Sequence, residues 1–191
     1  MDPVQRRRAI VAAVFRLVEA GGVGAVSLRE VAREAGLNIG SVRHYFSSHR
    51  ALMSAAAQEV GERMAARLEG HTPGEGDPVE RVAFVAEELL PLDAERTTEL
   101  TVLSEFVSAA RTEELYRPMA RTMAADMRTV LREALAGAGA ERPHEAAEDL
   151  AALVAGLGHD AVLPHGSPGP DGIRASVRRF LRGVLPGGSP D

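Results

Sequence analysis

The side chains that could catalyse a reaction or hold a metal ion are few in this 191-residue chain, and none has a catalytic spacing. Histidine and acidic residues meet in the stretch 144–149, HEAAED, but acids in a first helical turn are ordinary partners of the helix dipole. His159 and Asp160 lie on a mostly apolar helical stretch, where a packed or pocket-lining pair is favoured over a catalytic dyad. The chain has no P-loop, no Gly-x-Ser-x-Gly, no His-Glu-x-x-His, and no cysteine for thiolate metal sites or disulfides. We therefore predict a protein that is not an enzyme and that needs no metal or cofactor.

A stretch over 27–52, SLREVAREAGLNIGSVRHYFSSHRAL, has the spacing of a DNA-binding motif rather than of an active site. Ser27 and Glu30 form a Ser-x-x-Glu capping box, and apolar residues at helical spacing extend a short helix as far as Gly36, which ends it. Asn38 can cap a second short helix, whose outward tips are a mixture of donor, aromatic and apolar groups. Two short helices joined by a glycine turn form a helix-turn-helix, which can place its second helix in a DNA major groove. On this pattern alone, the packed helices of an ordinary all-α domain remain the alternative.

The charges of the chain are unevenly distributed. The net charge is −5, yet residues 1–60 contain eight arginines against five acids, whereas residues 61–191 contain fourteen arginines against twenty-two acids. A mildly basic N-terminal region on an acidic remainder suits a protein that presents one end to a polyanion. No apolar run approaches the ~20 residues that span a bilayer, and no cleavage-like site follows the N-terminus, so we predict a cytoplasmic protein.

Helical periodicity recurs along the chain, and no alternating strand pattern is present. The first helix ends at the pair Gly21-Gly22. The later helices begin at or just after Ser48, Asp77, Asp93, Thr112, Pro143 and Asp171. Pro118 lies in the first turns of one of them, so that helix is kinked or starts late. We predict an all-α fold of about nine helices, with a loop at 70–77 and a frayed tail at 186–191.

A set of residues across 10–52 falls in chain order, and without a gap, on a known family pattern. These residues are Gly22, Ser27, Val31-Ala32, Ala35-Gly36, Gly40, Val42, Tyr45-Phe46, Ser48 and Leu52. In them the segment resembles the DNA-binding head of the tetracycline-repressor (TetR) family of bacterial transcriptional regulators. The rest of the chain resembles the family in helix count, acidity and helix lengths. The resemblance implies a helix-turn-helix DNA-binding domain over 1–47 and a helical ligand-binding and dimerisation domain, the body, over 48–185.

The resemblance also implies which residues contact DNA. The family uses the position of Ser27 and the start of the fourth helix for phosphates, and the position of Arg29 and the second helix of the motif for base edges. The implied contact residues are Ser27, Arg29, Asn38, Ile39, Gly40, Ser41, Arg43, His44, Tyr45, His49 and Arg50. Arg43 stands where the family usually has tyrosine, so it can bond phosphate or guanine, and Ile39 suits a thymine methyl. His49 replaces the usual lysine and is fully charged only when protonated.

For the body we expect an effector site and a dimer interface. The side chains that a small molecule could contact are Met64, Phe84, Leu103, Phe106, Met119, Met123, Met127 and His159. Methionines at helical spacing are more often part of a core than of a pocket, although their flexible side chains suit variable ligands. By the resemblance, the last two long helices pair with those of a second copy as a four-helix bundle. Their interface residues would be Ala151, Ala155, Gly156, Val177, Phe180 and Leu181.

We therefore predict a transcriptional repressor that binds an inverted-repeat operator in double-stranded DNA as a homodimer. The long helix from Ser48 to about residue 69 would belong to both domains, so a small molecule bound in the body could tilt it and release the DNA. An activator or a constitutive DNA-binding protein of the same fold is the alternative. A purely architectural DNA-bending protein is disfavoured because it would not need the acidic body.

Overall fold

The computed structural model describes residues 2–69, 76–163 and 166–186. Over those residues the chain forms nine α-helices, one short 3-10 turn and no β-strand, which confirms the predicted all-α fold. The helices are α1 Pro3–Gly21, α2 Leu28–Glu34, α3 Ile39–Tyr45, α4 His49–Glu69, α5 Pro78–Glu88, α6 Ala94–Ala109, α7 Arg117–Gly137, α8 Pro143–Val162 and α9 Gly169–Val184. The predicted loop from 70 to 75 and the predicted tail from 187 onward lie outside the described residues.

The described residues pack as two units. Unit 1 comprises the residues up to 63 together with 101–120, and unit 2 comprises 64–100 together with the residues from 121 onward. The boundaries fall inside α4, α6 and α7, so each of these helices contributes residues to both units. The predicted division at residue 47 separates the DNA-contacting segment from the rest by function, and it stays a prediction.

Unit 1 is built on α1, whose central apolar residues are buried at helical spacing. They are Ile10, Val11, Ala13, Val14, Phe15, Leu17 and Val18. Val31 of α2 and Val42 of α3 pack into the same core. Phe106 of α6 is fully buried and stacks on the ring of Tyr116, with the ring centroids 5.6 Å apart. Because α2 and α3 have only seven residues each, their stability comes from this packing, at about 1.5–3 kcal/mol for each large buried side chain.

Unit 2 has its own core, formed by residues of α5, α7, α8 and α9. α9 contributes an apolar stripe of Ile173, Val177 and Leu181, all buried. α8 contributes Ala147, Leu150 and Val154. Both stripes follow the helical repeat, which is why the sequence predicted one apolar face on each helix.

Three predicted dimer-interface residues are buried within this core and are not available to a second copy. They are Ala151, Val177 and Leu181. Helical spacing predicts an apolar face, but it does not say whether the face covers the chain's own core or that of a partner. Ala155 and Gly156 are exposed and Phe180 is half-buried, so their place in an interface stays a prediction.

The predicted start and end of α2 are present. The Ser27 Oγ accepts a hydrogen bond from the backbone N–H of Glu30 at 3.1 Å. The Glu30 carboxylate accepts from Arg33 at 2.9 Å, so the confirmed half of the predicted capping box is the serine half. Gly36 follows the helix with φ +66°, the left-handed backbone that glycine adopts without a Cβ clash.

Two predicted helix starts are wrong. α7 begins at Arg117 rather than after Thr112, because Pro118 has no N–H to donate and fits only the first turn of a helix. The late start that the proline left open is therefore the correct alternative. α9 begins at Gly169, so Asp171 lies inside the first turn, where its charge complements the helix dipole instead of capping the helix.

Candidate nucleic-acid interface

α3 is attached to unit 1 by few side chains and presents the others outward. Val42 is fully buried, and so is most of Phe46, the residue that follows the helix. Tyr45 packs partly against the same core and meets the ring of His44 edge to face, with centroids 5.3 Å apart. Ile39 is exposed, with 38% of its surface accessible, so an apolar tip is free for a thymine methyl.

The first turns of α3 and α4 are closed by the predicted side-chain caps. The Asn38 Oδ1 accepts from the Ser41 N–H at 2.8 Å, and the Ser48 Oγ accepts from the Ala51 N–H at 3.1 Å. The other N–H groups in the first turn of α4, a 21-residue helix, lie at its positive end, where an anion is favoured. Arg50 is exposed in this turn, so backbone donors and a guanidinium are both available to one phosphate.

Among the arginines of α1, α2 and α3, some are neutralised by acids and others are free. Arg33 and Arg16 are paired with acids of α2, at 2.8 and 2.6 Å. Arg29 and Arg43 are exposed, and neither forms an ion pair or a hydrogen bond with any described residue. A guanidinium without an internal partner keeps all of its donors for an external acceptor such as phosphate or guanine.

All eleven predicted DNA-contacting residues belong to unit 1, and none of them is fully buried. Ser41, Tyr45 and His49 are half-buried, and the other eight are exposed. Ser27 and Asn38 each use one oxygen as a cap acceptor and keep a hydroxyl or amide donor for a phosphate or a base. The structure thus leaves these side chains accessible, and their individual DNA contacts stay a prediction.

One basic residue beside α3 had no specific signal in the sequence. Arg7 of α1 lies over the ring of Phe46, with its guanidinium carbon 5.6 Å from the ring centroid. This cation–π contact fixes a positive charge next to the end of α3. In the sequence, 6–8 is simply a run of three arginines, and only the packing of α1 against Phe46 distinguishes the middle one.

The eight predicted effector residues are divided between the two units. Those in unit 1 are Leu103, Phe106 and Met119. Those in unit 2 are Met64, Phe84, Met123, Met127 and His159. Phe106 is part of the core of unit 1, Met127 packs against the core of unit 2, and His159 is exposed. Their contact with a ligand stays a prediction.

An open hollow on unit 1 is formed by other residues. Its volume is about 300 Å³, and it is lined by Val23, Glu105, Ser108, Ala109, Arg111 and Thr112. That volume is at the lower limit for ligand pockets, and none of the predicted effector residues lines it. We therefore assign no ligand to this hollow.

Unit 2 contains an ion-pair network that the sequence did not reveal. Arg67, in the last turns of α4, donates from Nε to Glu88 at 2.6 Å and from Nη2 to Glu99 at 2.8 Å. Arg96 of α6 donates to the other oxygen of Glu88 at 2.9 Å. We call these four residues the Arg67 network. Its members come from α4, α5 and α6, and Arg67 and Glu99 are 32 residues apart, so no local pattern signals it.

The carboxylates of the Arg67 network are almost completely buried. Glu88 is 8% and Glu99 3% exposed. Hydrogen bonding to Glu99 raises the pKa of Arg67 above its ordinary value, although burial acts in the opposite direction. Buried charges are tolerated only when they are paired and hydrogen-bonded, so each charge of the network depends on the others.

Histidine and acidic residues do not gather into a metal site in the part of the chain that the structure describes. In the stretch 144–149, Glu145 and Glu148 bind Arg142 and Arg128 at 2.9 and 2.8 Å. Across the same described residues, no helix combines the length and the apolar character needed to cross a membrane.

The sequence matches known families along most of its length. Residues 10–56 match the model of bacterial regulatory proteins of the tetR family, and residues 78–186 match the C-terminal model of BetI-type transcriptional repressors. The HTH-type transcriptional regulator PksA of Bacillus subtilis (strain 168) is 29% identical over 190 residues, which are 97% of this chain and 89% of PksA.

Solved structures agree with these matches. A transcriptional regulator from Rhodococcus sp. Rha1 is 31% identical, with a TM-score of 0.82 over 95% of this chain and 96% of its own. The multidrug binding protein EbrR, solved in complex with imidazole, is 27% identical, with a TM-score of 0.64 over 94% of this chain and 90% of its own. One family model alone covers more than half of the sequence. The chain therefore belongs to the TetR family of transcriptional regulators, which are DNA-binding proteins and not enzymes.

Proposed function

We propose that this regulator is a repressor that binds an inverted-repeat operator as a homodimer and leaves it when a small molecule binds. The observation that supports DNA binding is that Arg29 and Arg43 have no internal partner in the part of the chain that the structure describes, whereas acids neutralise Arg16 and Arg33. The match of 78–186 to BetI-type repressors favours repression over activation, the alternative that the same fold would serve. Its place of action would be the cytoplasm, where a bacterial genome lies.

On DNA, α3 would lie in the major groove with its exposed tips on base edges. A two-fold dimer would place two such helices in successive major grooves, about 34–36 Å apart, on an inverted repeat. Arg50 and the first turn of α4 would hold the phosphate backbone.

Selection of duplexes from a randomised pool by the purified protein, followed by footprinting, tests this geometry. We expect two symmetric half-sites and an affinity that falls steeply with salt. Binding without any sequence preference would contradict it.

The dimer would form through the exposed side of α8 together with Phe180 of α9. Ala155 and Gly156 are exposed, and apart from its chain neighbours and the helix's own backbone, no described atom of the chain lies within 4 Å of a Cβ added at Gly156. Small residues on an exposed helical face let a second helix approach closely. Gly156→Met would then meet only a partner chain, so it should weaken dimerisation without unfolding the protomer.

Analytical ultracentrifugation at micromolar concentration measures this effect. Gly61→Met is the matched control, because Gly61 is also an exposed mid-helix glycine with no neighbour at its Cβ. We expect a dimer for the wild type and for the control, and a shift toward monomer for Gly156→Met. A monomeric wild type would rule out the dimer.

The effector would be a small molecule that contacts side chains near α4, of which Met64 and Met123 are the predicted examples. EbrR, solved with imidazole, supports a small-molecule ligand for this fold and sequence class. Coupling requires the ligand to bind the DNA-incompetent conformation better, typically by about 5–150-fold.

Native mass spectrometry of the protein from cell extract would identify a ligand. Operator should then weaken the binding of the ligand by the same factor by which the ligand weakens the binding of operator. Equal ligand affinity with and without operator would leave a constitutive DNA-binding protein.

A further inference from the structure

The attachment of α4 changes along its length. Its buried residues all lie between Leu52 and Val60, and they belong to the core of unit 1. Among the described residues 61–69, none is buried, and the apolar Met64 and Leu68 are not part of the packing around the core of unit 2. Packing on this core therefore does not account for the attachment of these last turns.

Arg67 supplies a contact of another kind. Its guanidinium donates once to Glu88 and twice to Glu99, at distances between 2.6 and 3.2 Å. The two carboxylates come from α5 and α6, so a planar group on α4 is held between two other helices. Bidentate bonds of this kind orient the guanidinium and restrict how far the helix that carries it can move. Apolar contacts are not directional and would permit sliding.

We propose that Arg67 is the residue that positions the C-terminal end of α4 against α5 and α6, and that this positioning sets the affinity for operator. The inference rests on the proposed function, in which α4 transmits the state of the body to the DNA-contacting helices. Replacement of a buried ion pair by apolar residues of similar size is often neutral for stability. The contribution of Arg67 beyond stability is thus the defined orientation of one helix end, which an effector could change by moving either carboxylate.

The double variant R67M/E99M removes the bidentate pair without leaving Glu99 opposite an apolar residue. The matched control is R178M/E87M. Arg178 and Arg67 have the same side-chain exposure, 25%, and the ion pairs of Arg178 join α9 to α5. Each protein is titrated with the duplex that the wild type selects from a randomised pool, and with a scrambled duplex of equal length. We expect R67M/E99M to bind the selected duplex about tenfold more weakly, and the control to stay within about twofold of wild type. Binding of the scrambled duplex should not change.

Hydrogen exchange of backbone amides tests the attachment without DNA. Amides of residues 64–69 should exchange about tenfold faster in R67M/E99M than in wild type, while those of 52–60 stay unchanged. If the double variant does not fold, R67K takes its place, since lysine keeps the charge but cannot bond two carboxylates bidentately; it should show the same changes to a smaller extent.

The outcomes separate the two hypotheses. A wild type that selects no sequence would contradict the proposed function. The rate of amide hydrogen exchange at 64–69 would still decide whether Arg67 holds α4. Unchanged exchange in the variant would overturn the inference whatever the DNA result. Equal losses of operator affinity in R67M/E99M and in R178M/E87M would also overturn it, because unit 2 would then act as a whole and not through Arg67.

Discussion

Arg29 and Arg43 of the α2–α3 motif and Arg178 at the contact between α5 and α9 have opposite surroundings. Arg178 of α9 binds both Glu80 and Glu87 of α5. Arg29 and Arg43 have no acid within bonding distance among the described residues. The sequence contains no lysine, so one side-chain type must serve both for internal ion pairs and for external anions.

For Arg29, Arg43 and Arg178, the presence or absence of a carboxylate partner within the described part of the chain is the difference. A paired guanidinium would have to break its internal bonds before it could bind a phosphate, whereas a free one exchanges only water. Lack of an internal partner therefore leaves Arg29 and Arg43 available to an external anion, and their place on the α2–α3 motif is what points to nucleic acid.

The largest effect should come from breaking a buried pair. Arg67→Met leaves the almost fully buried Glu99 without its guanidinium, which costs about 3–5 kcal/mol of unfolding free energy. Arg29→Met at the free site should change the unfolding free energy by less than about 0.5 kcal/mol. Urea unfolding followed by circular dichroism measures both. Similar losses in the two variants would remove the distinction between paired and free arginines.

The next effect concerns DNA affinity. Arg43→Ala and Arg29→Ala should each weaken binding to the selected operator by about 1–3 kcal/mol if they contact bases, with no change in the urea midpoint. If Arg43 binds phosphate, all sequences should weaken alike, and the slope of log affinity against log salt should fall by about one unit. Fluorescence anisotropy titrations at several salt concentrations distinguish the two. Unaltered operator binding in both variants would exclude these side chains from the interface.

A free arginine can also be converted into a paired one. Ile39→Glu places a carboxylate four residues before Arg43 on α3, a spacing that favours an ion pair by about 0.2–0.5 kcal/mol. Ile39→Gln is the control, since it has a similar size and no charge. We expect Ile39→Glu to bind operator about tenfold more weakly than Ile39→Gln, because Arg43 is neutralised and a negative charge faces DNA. Equal affinities of the two variants would show that Arg43 is not used.

The smallest effect is on how much stability the protein loses as the pH falls. Hydrogen bonding from Arg178 lowers the pKa of Glu80, so this pair stabilises the fold above the unfolded pKa and is lost as pH falls through the lower folded pKa. Because Glu80 is half exposed, the contribution is about 0.2–1 kcal/mol. Thermal unfolding between pH 3 and 7 should give a shallower acid decline for Arg178→Met than for wild type, with Arg29→Met as the unchanged control. Parallel curves for all three would contradict the assignment.

Short-range features of the fold were predictable, because their causes lie within a few residues. The caps by Ser27, Asn38 and Ser48 each require one side-chain oxygen and a backbone N–H three residues on. The start of α7 was mispredicted because Thr112 offers a local cap signal, whereas Pro118 restricts the helix from the other side.

Long-range pairing was not predictable from the same sequence. Arg67 and Glu99 meet only because three helices pack together, and nothing in their local sequence distinguishes them from solvated charges. The burial of Leu181 in the chain's own core, against the exposure of Gly156, depends likewise on which helices are neighbours. The DNA-contacting residues were inferred from a family resemblance and lie in a short motif within 27–50, and their contacts stay a prediction.

The way in which α3 is attached bears on how such a regulator can diverge. The core holds this helix mainly through Val42 and Phe46, whereas the side chains of Ile39, Arg43 and His44 are exposed. If these side chains read DNA as proposed, substitutions there would alter the recognised sequence at little cost to folding. After gene duplication, a copy of this protein could acquire a new operator by a few changes on one exposed helix while its regulatory body stays the same.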